Sequence, residues 1–389
     1  MTIVVVGAGL AGGTAVTELR EQGYDGRIVL LGAEQHLPYE RPPLSKGYLM
    51  GKEPLAKAFV HDAAWYAEHD VEVRVSTDVK ALDLEAKVVR TDAGEEPFEK
   101  LLLATGAEPR HLAMADESGA PVAYLRTIEH SDRLRAAFGD GKDVLVVGAG
   151  WIGLEVAAAA RDAGCNVTVV ESAELPLLAV LGPEVAQVFA DLHRAHGVDL
   201  RLSSSLTQED LAAAGLVVVG IGVAPRTGLA EDAGLDVDNG VLVDETLRTS
   251  HPDVWAVGDI ANHQHPVLGR RVRVEHWDTA IQQAKVAARN LVGAEERYEK
   301  LPYFFTDQYS LGMEYVGHVG RDGYDRVVVR GEWNDDDGGV FQAFWLKDGR
   351  VEAGMHVIDW DATVGIKGLV GREVDADRLA DTDVPLSEV

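Results

Sequence analysis

The sequence predicts an α/β fold, two Rossmann-like nucleotide-binding domains followed by a smaller α+β C-terminal domain, and three observations carry that prediction. A glycine fingerprint occurs twice: Gly7-Ala-Gly9-Leu-Ala-Gly12 follows a β-branched run at 3–6, and Gly148-Ala-Gly150-Trp-Ile-Gly153 follows an apolar strand at 144–147. Each copy continues into a helical stretch (12–20 and 153–162) and a second strand (27–31 and 166–170), as a βαβ unit requires. From about residue 302 the pattern turns to short strands at 326–330, 340–346 and 351–357, broken by Asp335-Asp-Asp-Gly-Gly339 and Lys347-Asp-Gly349.

The three glycines of each fingerprint have separate tasks. The first permits the tight turn, the second lets backbone approach a pyrophosphate, and the third lets helix and strand pack closely, with the phosphates at the positive end of the helix dipole. In the second unit Glu171 stands just past the second strand, where a carboxylate accepts from ribose hydroxyls and repels a 2′-phosphate. Glu174, and no Arg or Lys, accompanies it. Further apolar strands end in small residues at Leu101-Leu-Leu-Ala104-Thr105-Gly106 and Leu216-Val-Val-Val-Gly-Ile-Gly222, and each is expected to close one sheet. Val254-Trp-Ala-Val-Gly258-Asp259 is a third such strand, delivering Asp259 to the end of a sheet, where cofactor sites form.

Composition narrows the function. With 64 acidic against 36 basic residues the net charge is −28, which argues against a nucleic-acid or anionic-membrane partner. Residues 331–389 alone hold 14 acids and 5 bases. One cysteine, Cys165, excludes an intramolecular disulfide and a CxxC redox centre, so any redox chemistry must come from a cofactor. No apolar run reaches the ~18 residues of a membrane span and no leader pattern opens the chain, which reads as cytoplasmic. The sequon at Asn166 falls in a buried strand and reads as chance. His263 and His265 lack a third ligand at metal spacing, and Asp335-Asp-Asp-Gly-Gly339 lacks the alternating ligands of a calcium loop, so no metal is expected.

The chain as a whole resembles the oxygenase-coupled NADH-dependent ferredoxin reductases, a branch of the glutathione-reductase-like FAD enzymes that also holds rubredoxin reductases and apoptosis-inducing-factor-like proteins. The resemblance rests on both fingerprints, Tyr39-Glu-Arg-Pro-Pro-Leu-Ser-Lys46, the segments ending at Gly106, Gly222 and Asp259, Trp277, and Tyr303-Phe-Phe-Thr-Asp-Gln308. It implies FAD and NADH as cofactors, an FAD domain from 1–110 and 240–301, an NAD domain at 111–239, and a C-terminal domain at 302–389. Residues implied at the cofactors are Gly7, Gly9, Ala11, Gly12, Glu34, Arg41, Lys46, Val79, Ala104, Thr105, Gly106, Arg126, Gly258, Asp259 and Trp277 for FAD. For NADH they are Gly148, Gly150, Ile152, Gly153, Glu171 and Gly222.

Nicotinamide delivers two electrons as a hydride, an iron–sulfur partner accepts one at a time, and a flavin converts between them. The resemblance carries Lys46 to the flavin N5 edge and Arg41 toward the phosphates; the plain alternative is a Pro-Pro helix start with solvated charges. Glu155 on an apolar helix needs a partner, and Lys46 is the candidate; alternatively Glu155 complements the helix dipole. Trp277 is expected at a helix start facing the flavin pyrimidine edge; the plain alternative is an ordinary core tryptophan. Two departures from the family stand out. A β-hairpin usual between 201 and 216 is missing, and Ala33 replaces an acid, leaving Glu34 for the adenosine ribose.

Two other functions compete. A flavin disulfide reductase needs a redox cysteine after Pro43, and the segment there, Leu44-Ser-Lys-Gly-Tyr-Leu-Met50, has none. An NADH-regulated, apoptosis-inducing-factor-like protein would act through a charge-transfer complex and dimerisation. For the reductase, acidic ferredoxins call for a local basic patch, and Arg270, Arg271 and Arg273 form the densest one; the same alternation of Arg and Val also suits an exposed edge strand. The chain is expected as a monomer or homodimer.

Overall fold

The computed structural model describes residues 1–320, 323–332 and 339–389 and divides them into two compact units. The acidic turn expected at 335–339 lies, but for Gly339, outside the described residues.

The first unit comprises 1–42, 54–108 and 223–300. Its five parallel strands run in the order Val254–Ala256, Lys100–Leu103, Thr2–Val6, Arg27–Leu31, Val71–Arg74. The helices Leu10–Glu21 and Trp277–Leu291 pack on each other. Residues 3–6, 28–31 and 101–103 are buried throughout, the signature of strands covered on both faces. Two smaller sheets complete the unit. One joins Val79–Asp83, Val88–Thr91 and Gly94–Pro97, the other Val241–Val243, Ala261–His265 and Arg270–Val272.

The second unit comprises 43–53, 109–222 and 301–389. Its parallel sheet runs Asp199–Arg201, Asn166–Val170, Asp143–Val147, Leu216–Val219, Val122–Ala123. In both sheets the strand before the fingerprint is central, flanked by the strand after the helix and by the late apolar strand. Lys100–Leu103 and Leu216–Val219 therefore do not close their sheets. Val254–Ala256 and Val122–Ala123 pair outside them, and the unbroken apolar character of 101–103 and 216–219 is what a central parallel strand needs.

The C-terminal residues form an antiparallel sheet ordered Tyr303–Gln308, Leu311–Gly317, Arg350–Val357, Phe341–Lys347, Arg326–Gly331. It shares a hydrophobic cluster with the second parallel sheet and its helices: Phe189, Leu181 and Val156 lie with Trp345, Met355 and Phe341. The fully buried Trp345 indole donates to the Leu181 carbonyl at 3.1 Å. Between 202 and 215 the missing hairpin is replaced by the short helix Gln208–Ala213. Thr207 and Asp210 close a reciprocal capping box at its start.

Helix Leu178–Ala195 carries the fully buried His193, whose Nε2 lies 2.8 Å from Gln308 Oε1. Burial pushes this imidazole down to about 4, and the buried His263 down to about 3, with His265 shifted the same way. Because the unfolded chain takes up these protons first, the stability at stake is intact above pH ~6.5 and is lost as pH falls from there toward the folded values. Each such histidine contributes up to about 1.4 kcal/mol per pH unit in that window. Denaturant titrations at pH 7 and pH 5 check this: His193→Gln should lose less stability than wild type over that interval, and equal losses would exclude His193 as a source.

Candidate functional site

The residues expected at NADH lie in the second unit, and those expected at FAD lie in the first except Lys46 and Arg126, which lie in the second. In the first unit, Gly7 takes a left-handed φ of +113°, and a Cβ there would lie 2.1 Å from the Ala104 carbonyl oxygen. A Cβ on Gly12 would lie 2.0 Å from the Gly7 carbonyl oxygen. On Gly9, where helix Leu10–Glu21 begins, a Cβ would meet nothing within 4 Å. Two glycines are thus required by the protein's own packing, and the middle one opens space before a helix N-terminus. That is the shape an FAD pyrophosphate needs.

The second fingerprint repeats the pattern. Gly148, at φ +98°, would place a Cβ 2.6 Å from the Gly220 oxygen, and Gly153 would place one 2.1 Å from the Gly148 oxygen. Gly150 has nothing nearer than 4.0 Å. Glu171 Oε2 accepts from the Ala149 N–H at 2.7 Å and Oε1 from Ala173 N–H at 2.9 Å, so its carboxylate is pinned beside the glycine turn. Ile152, in the first turn of helix Trp151–Asp162, and Ile221, just past strand Leu216–Val219, are exposed, and Gly222 takes φ +95° with open space around it.

Around the first fingerprint, chain ends converge as the strand order dictates. A Cβ on Gly258, at φ +73°, would approach Ala11 Cβ to 3.5 Å, and the Gly258 N–H donates to the buried Gln283 of helix Trp277–Leu291. Trp277 is the first residue of that helix, with His276 as its cap. Burial pushes the neighbouring Glu40 carboxyl up, and a hydrogen bond with the Trp277 side chain holds it back. Asp259 lies in the short 3-10 turn Gly258–Ile260, its carbonyl accepting from Arg273 at 3.0 Å. Thr105 Oγ1 donates to the Arg226 carbonyl, and Gly106 is left-handed at +69°. Residues 76 and 77 donate to the carbonyls of Glu34 and Gly32, which brings Val79 past the end of the second strand.

Glu34 is not a bare acceptor. Arg41 donates to its Oε1 at 2.8 Å and the Tyr39 hydroxyl donates to Oε2, so Arg41 and Glu34 form one polar cluster with a phenol that the sequence pattern does not announce. The Pro-Pro segment makes only the 3-10 turn Pro42–Ser45, not an α-helix; Pro43 lacks an N–H and Gly47 and Gly51 follow.

Lys46 lies in the second unit, with its Nζ 2.6 Å from Glu155 Oε1. Glu155 is 3% exposed and the Lys46 side chain 16%, which makes this a buried pair rather than two solvated charges. Ser45 Oγ donates to Glu155 Oε2 at 2.5 Å and Thr306 Oγ1 to Oε1 at 2.6 Å. The Phe305 ring centroid lies 5.4 Å from Lys46 Nζ. Sequence reasoning pairs Lys46 with Glu155 but misses Ser45 and Thr306. The signal is there: two polar residues, Thr306 and Gln308, alternate in an aromatic strand and so share its buried face. Arg126 stands between strand Val122–Ala123 and helix Ile128–Ala137, one residue before the Thr127 cap.

The basic cluster is partly spent within the first unit. Arg271 donates to the Val243 and Asn262 carbonyls at 3.0 and 2.8 Å, and Arg273 pairs with Glu275. Arg270 is exposed at the start of the outer strand of its small sheet. Among the described residues no cluster of three or more His, Cys, Asp or Glu could hold a metal, and no helix is long and apolar enough to cross a membrane.

Residues 1–284 match the family described as Pyridine nucleotide-disulphide oxidoreductase, and 303–389 match the Reductase C-terminal family. The chain is 41% identical, over 98% of both sequences, to the anthranilate 1,2-dioxygenase system ferredoxin–NAD(+) reductase component of Burkholderia cepacia. It is 36% identical to putidaredoxin reductase of Pseudomonas putida, covering 100% of this chain and 96% of that one. A crystal structure of a covalent putidaredoxin reductase–putidaredoxin complex superimposes with a TM-score of 0.93 at 35% identity, over 100% of this chain and 97% of the other.

Proposed function

We propose, from the premise that this chain belongs to the pyridine nucleotide-disulphide oxidoreductase family, that it is an FAD-dependent NADH:ferredoxin oxidoreductase. It passes electrons to a ferredoxin-type iron–sulfur protein serving a P450 or Rieske oxygenase. The observation that carries the reading is the paired cradle: two fingerprints in which only the middle glycine faces open space, one in each unit. The disulphide chemistry in the family's description has no counterpart here, because the single cysteine, Cys165, is fully buried against the Gly139 backbone. The alternative, an NADH-regulated protein acting through dimerisation, is not favoured, since the relatives are named as reductase components.

Bound FAD supplies the conversion of a two-electron hydride into single electrons. In this reading residues 1–110 and 240–301 hold FAD and 111–239 hold NADH. Gly7 and Gly12 let the turn and the helix pack closely, and Gly9 leaves room for the pyrophosphate before the helix N-terminus. Lys46, held by Glu155, presents a cation that favours negative charge on the reduced ring. The protein works in the cytoplasm.

The test is direct. The purified protein should show a flavin absorption spectrum that NADH bleaches and that a ferredoxin restores. Ser172-Ala-Glu174 after the pinned Glu171 holds no Arg or Lys, and Arg201, whose carbonyl accepts from the Glu171 N–H, is paired with Asp199 and Asp210, so kcat/KM for NADH should exceed that for NADPH by roughly tenfold or more. Equal values would remove Glu171 from the specificity argument, and a colourless protein would remove the flavin.

Docking of the acceptor is assigned to Arg270, Arg271 and Arg273, in and just after the strand Arg270–Val272, because a protein of net charge −28 needs a local positive surface to meet an acidic partner. Arg271 and Arg273 also serve their own fold, so the informative variant is Arg270→Glu. Its ferredoxin-dependent turnover at low ionic strength should fall several-fold and lose salt sensitivity, with ferricyanide reduction by NADH unchanged. Unchanged ferredoxin turnover would place docking elsewhere.

A further inference from the structure

The Lys46–Glu155 pair is the end of a longer buried chain of hydrogen bonds, all of it within the second unit. Thr306 Oγ1 gives its only proton to Glu155 Oε1 at 2.6 Å, so it must accept from Gln308 Nε2, 3.2 Å away. With its amide nitrogen so used, Gln308 turns Oε1 to His193 Nε2 at 2.8 Å, which fixes that nitrogen as the protonated one. Nδ1 of the same ring is left as an acceptor facing the Tyr309 hydroxyl at 3.5 Å. Thr306, Gln308 and His193 are each no more than 1% exposed. Every donor in the series points the same way, toward Glu155.

We infer that His193 and Gln308 are positioning residues for the Lys46–Glu155 pair, acting through Thr306. A threonine hydroxyl rotates freely and an amide can flip; the Glu155 carboxylate, which only accepts, sets the direction of both, and a donor behind the amide oxygen keeps Gln308 in that orientation. His193 supplies that donor from the last turn of helix Leu178–Ala195, and the strand alternation that places 306 and 308 on one face completes the link. With Gln308 locked, Thr306 has one rotamer that satisfies both neighbours, Glu155 keeps three donors, and Lys46 Nζ is held in one place. Without His193, Gln308 is free to turn its nitrogen away, and Thr306 then has an alternative to donating to Glu155. Thr306, Gln308 and His193 are closed off from bulk solvent, so the loss is not made good by exposure.

The inference rests on the reductase reading for the purpose of the pair, while its geometry can be tested without that reading. His193→Phe keeps a ring and removes the donor; His193→Gln restores an N–H near the same place; Thr306→Val removes the final hydroxyl at constant shape. In the cofactor-loaded protein, the carboxyl 13C resonance of Glu155, assigned by its loss in Glu155→Gln, should move in His193→Phe and Thr306→Val. It should return toward wild type in His193→Gln. Flavin reduction by NADH should slow roughly fivefold in the first two variants, about what one ordinary hydrogen bond corresponds to, and recover in the third. The midpoint potential of the bound flavin should shift in the same pair and recover likewise. If His193→Phe leaves the Glu155 resonance and the potential where they were, His193 is only a packed core residue and the inference fails. Should His193→Phe not fold, Thr306→Val tests the final link through the same two readouts, and an unmoved resonance there overturns the inference as well. A moved resonance in a protein that NADH does not reduce would sink the reductase reading and leave the positioning intact.

Discussion

Lys46→Ala is expected to slow flavin reduction by NADH roughly tenfold to a hundredfold and to destabilise the protein by about 3 kcal/mol. The size follows from what is left behind. Breaking a buried ion pair commonly costs about 3–5 kcal/mol because the survivor keeps its charge and loses its counter-charge. Glu155 is 3% exposed, yet Ser45 and Thr306 still donate to it after Lys46 is gone, which places the cost at the lower end. Glu155→Gln removes the charge and keeps the shape, so Lys46→Ala with Glu155→Gln should cost less than the two single changes added together, by about 1–3 kcal/mol. Stopped-flow reduction and denaturant unfolding on the four proteins of this cycle are the measurements. Additive effects, or an unchanged reduction rate in Lys46→Ala, would mean that the two charges do not act as a unit.

Much of this pair can be read from sequence, and the reason is specific. Glu155 occupies an otherwise apolar helix face, so a buried carboxylate demands a cation, and the Arg-Pro-Pro-Leu-Ser-Lys segment supplies one. The spans 27–31 and 166–170 are legible for a similar reason: an apolar-rich run between Gly26 and Gly32, and another between Gly164-Cys165 and Glu171, leave little choice of boundary. The sheet order is harder. Nothing local in Val122–Ala123 announces a strand, and pairing outside 216–219 is set by a chain arriving from elsewhere. The hydrogen-bond series behind Glu155 is not legible at all. His193 and Gln308 are 115 residues apart, and only the packing of helix Leu178–Ala195 against the C-terminal sheet brings them together. Glu34 is chosen by position alone, which says nothing of the Arg41 and Tyr39 groups that claim its oxygens.

The two fingerprint glycines Gly12 and Gly9 should fail in different ways when given a methyl group. On Gly12 the new Cβ would lie 2.0 Å from the Gly7 carbonyl oxygen and 3.1 Å from Leu30 Cδ1, one a backbone atom that cannot swing aside. Helix Leu10–Glu21 would have to lift off its strand, so Gly12→Ala should cost about 3 kcal/mol, the upper part of the range for overpacking a core. That loss belongs to the polypeptide itself and should appear with or without FAD. On Gly9 the Cβ meets no protein atom within 4 Å, so cofactor-free Gly9→Ala should match wild type to within about 0.5 kcal/mol. Its methyl would instead stand where the pyrophosphate must approach the backbone, and FAD affinity should fall roughly tenfold or more. Gly150→Ala extends the comparison to the second fingerprint, where the KM for NADH should rise and FAD retention should stay as it was. Thermal unfolding of the cofactor-free proteins with FAD titration separates the outcomes. A Gly9→Ala protein as unstable as Gly12→Ala, or one that holds FAD as tightly as wild type, would show that the space before the helix is not the phosphate's.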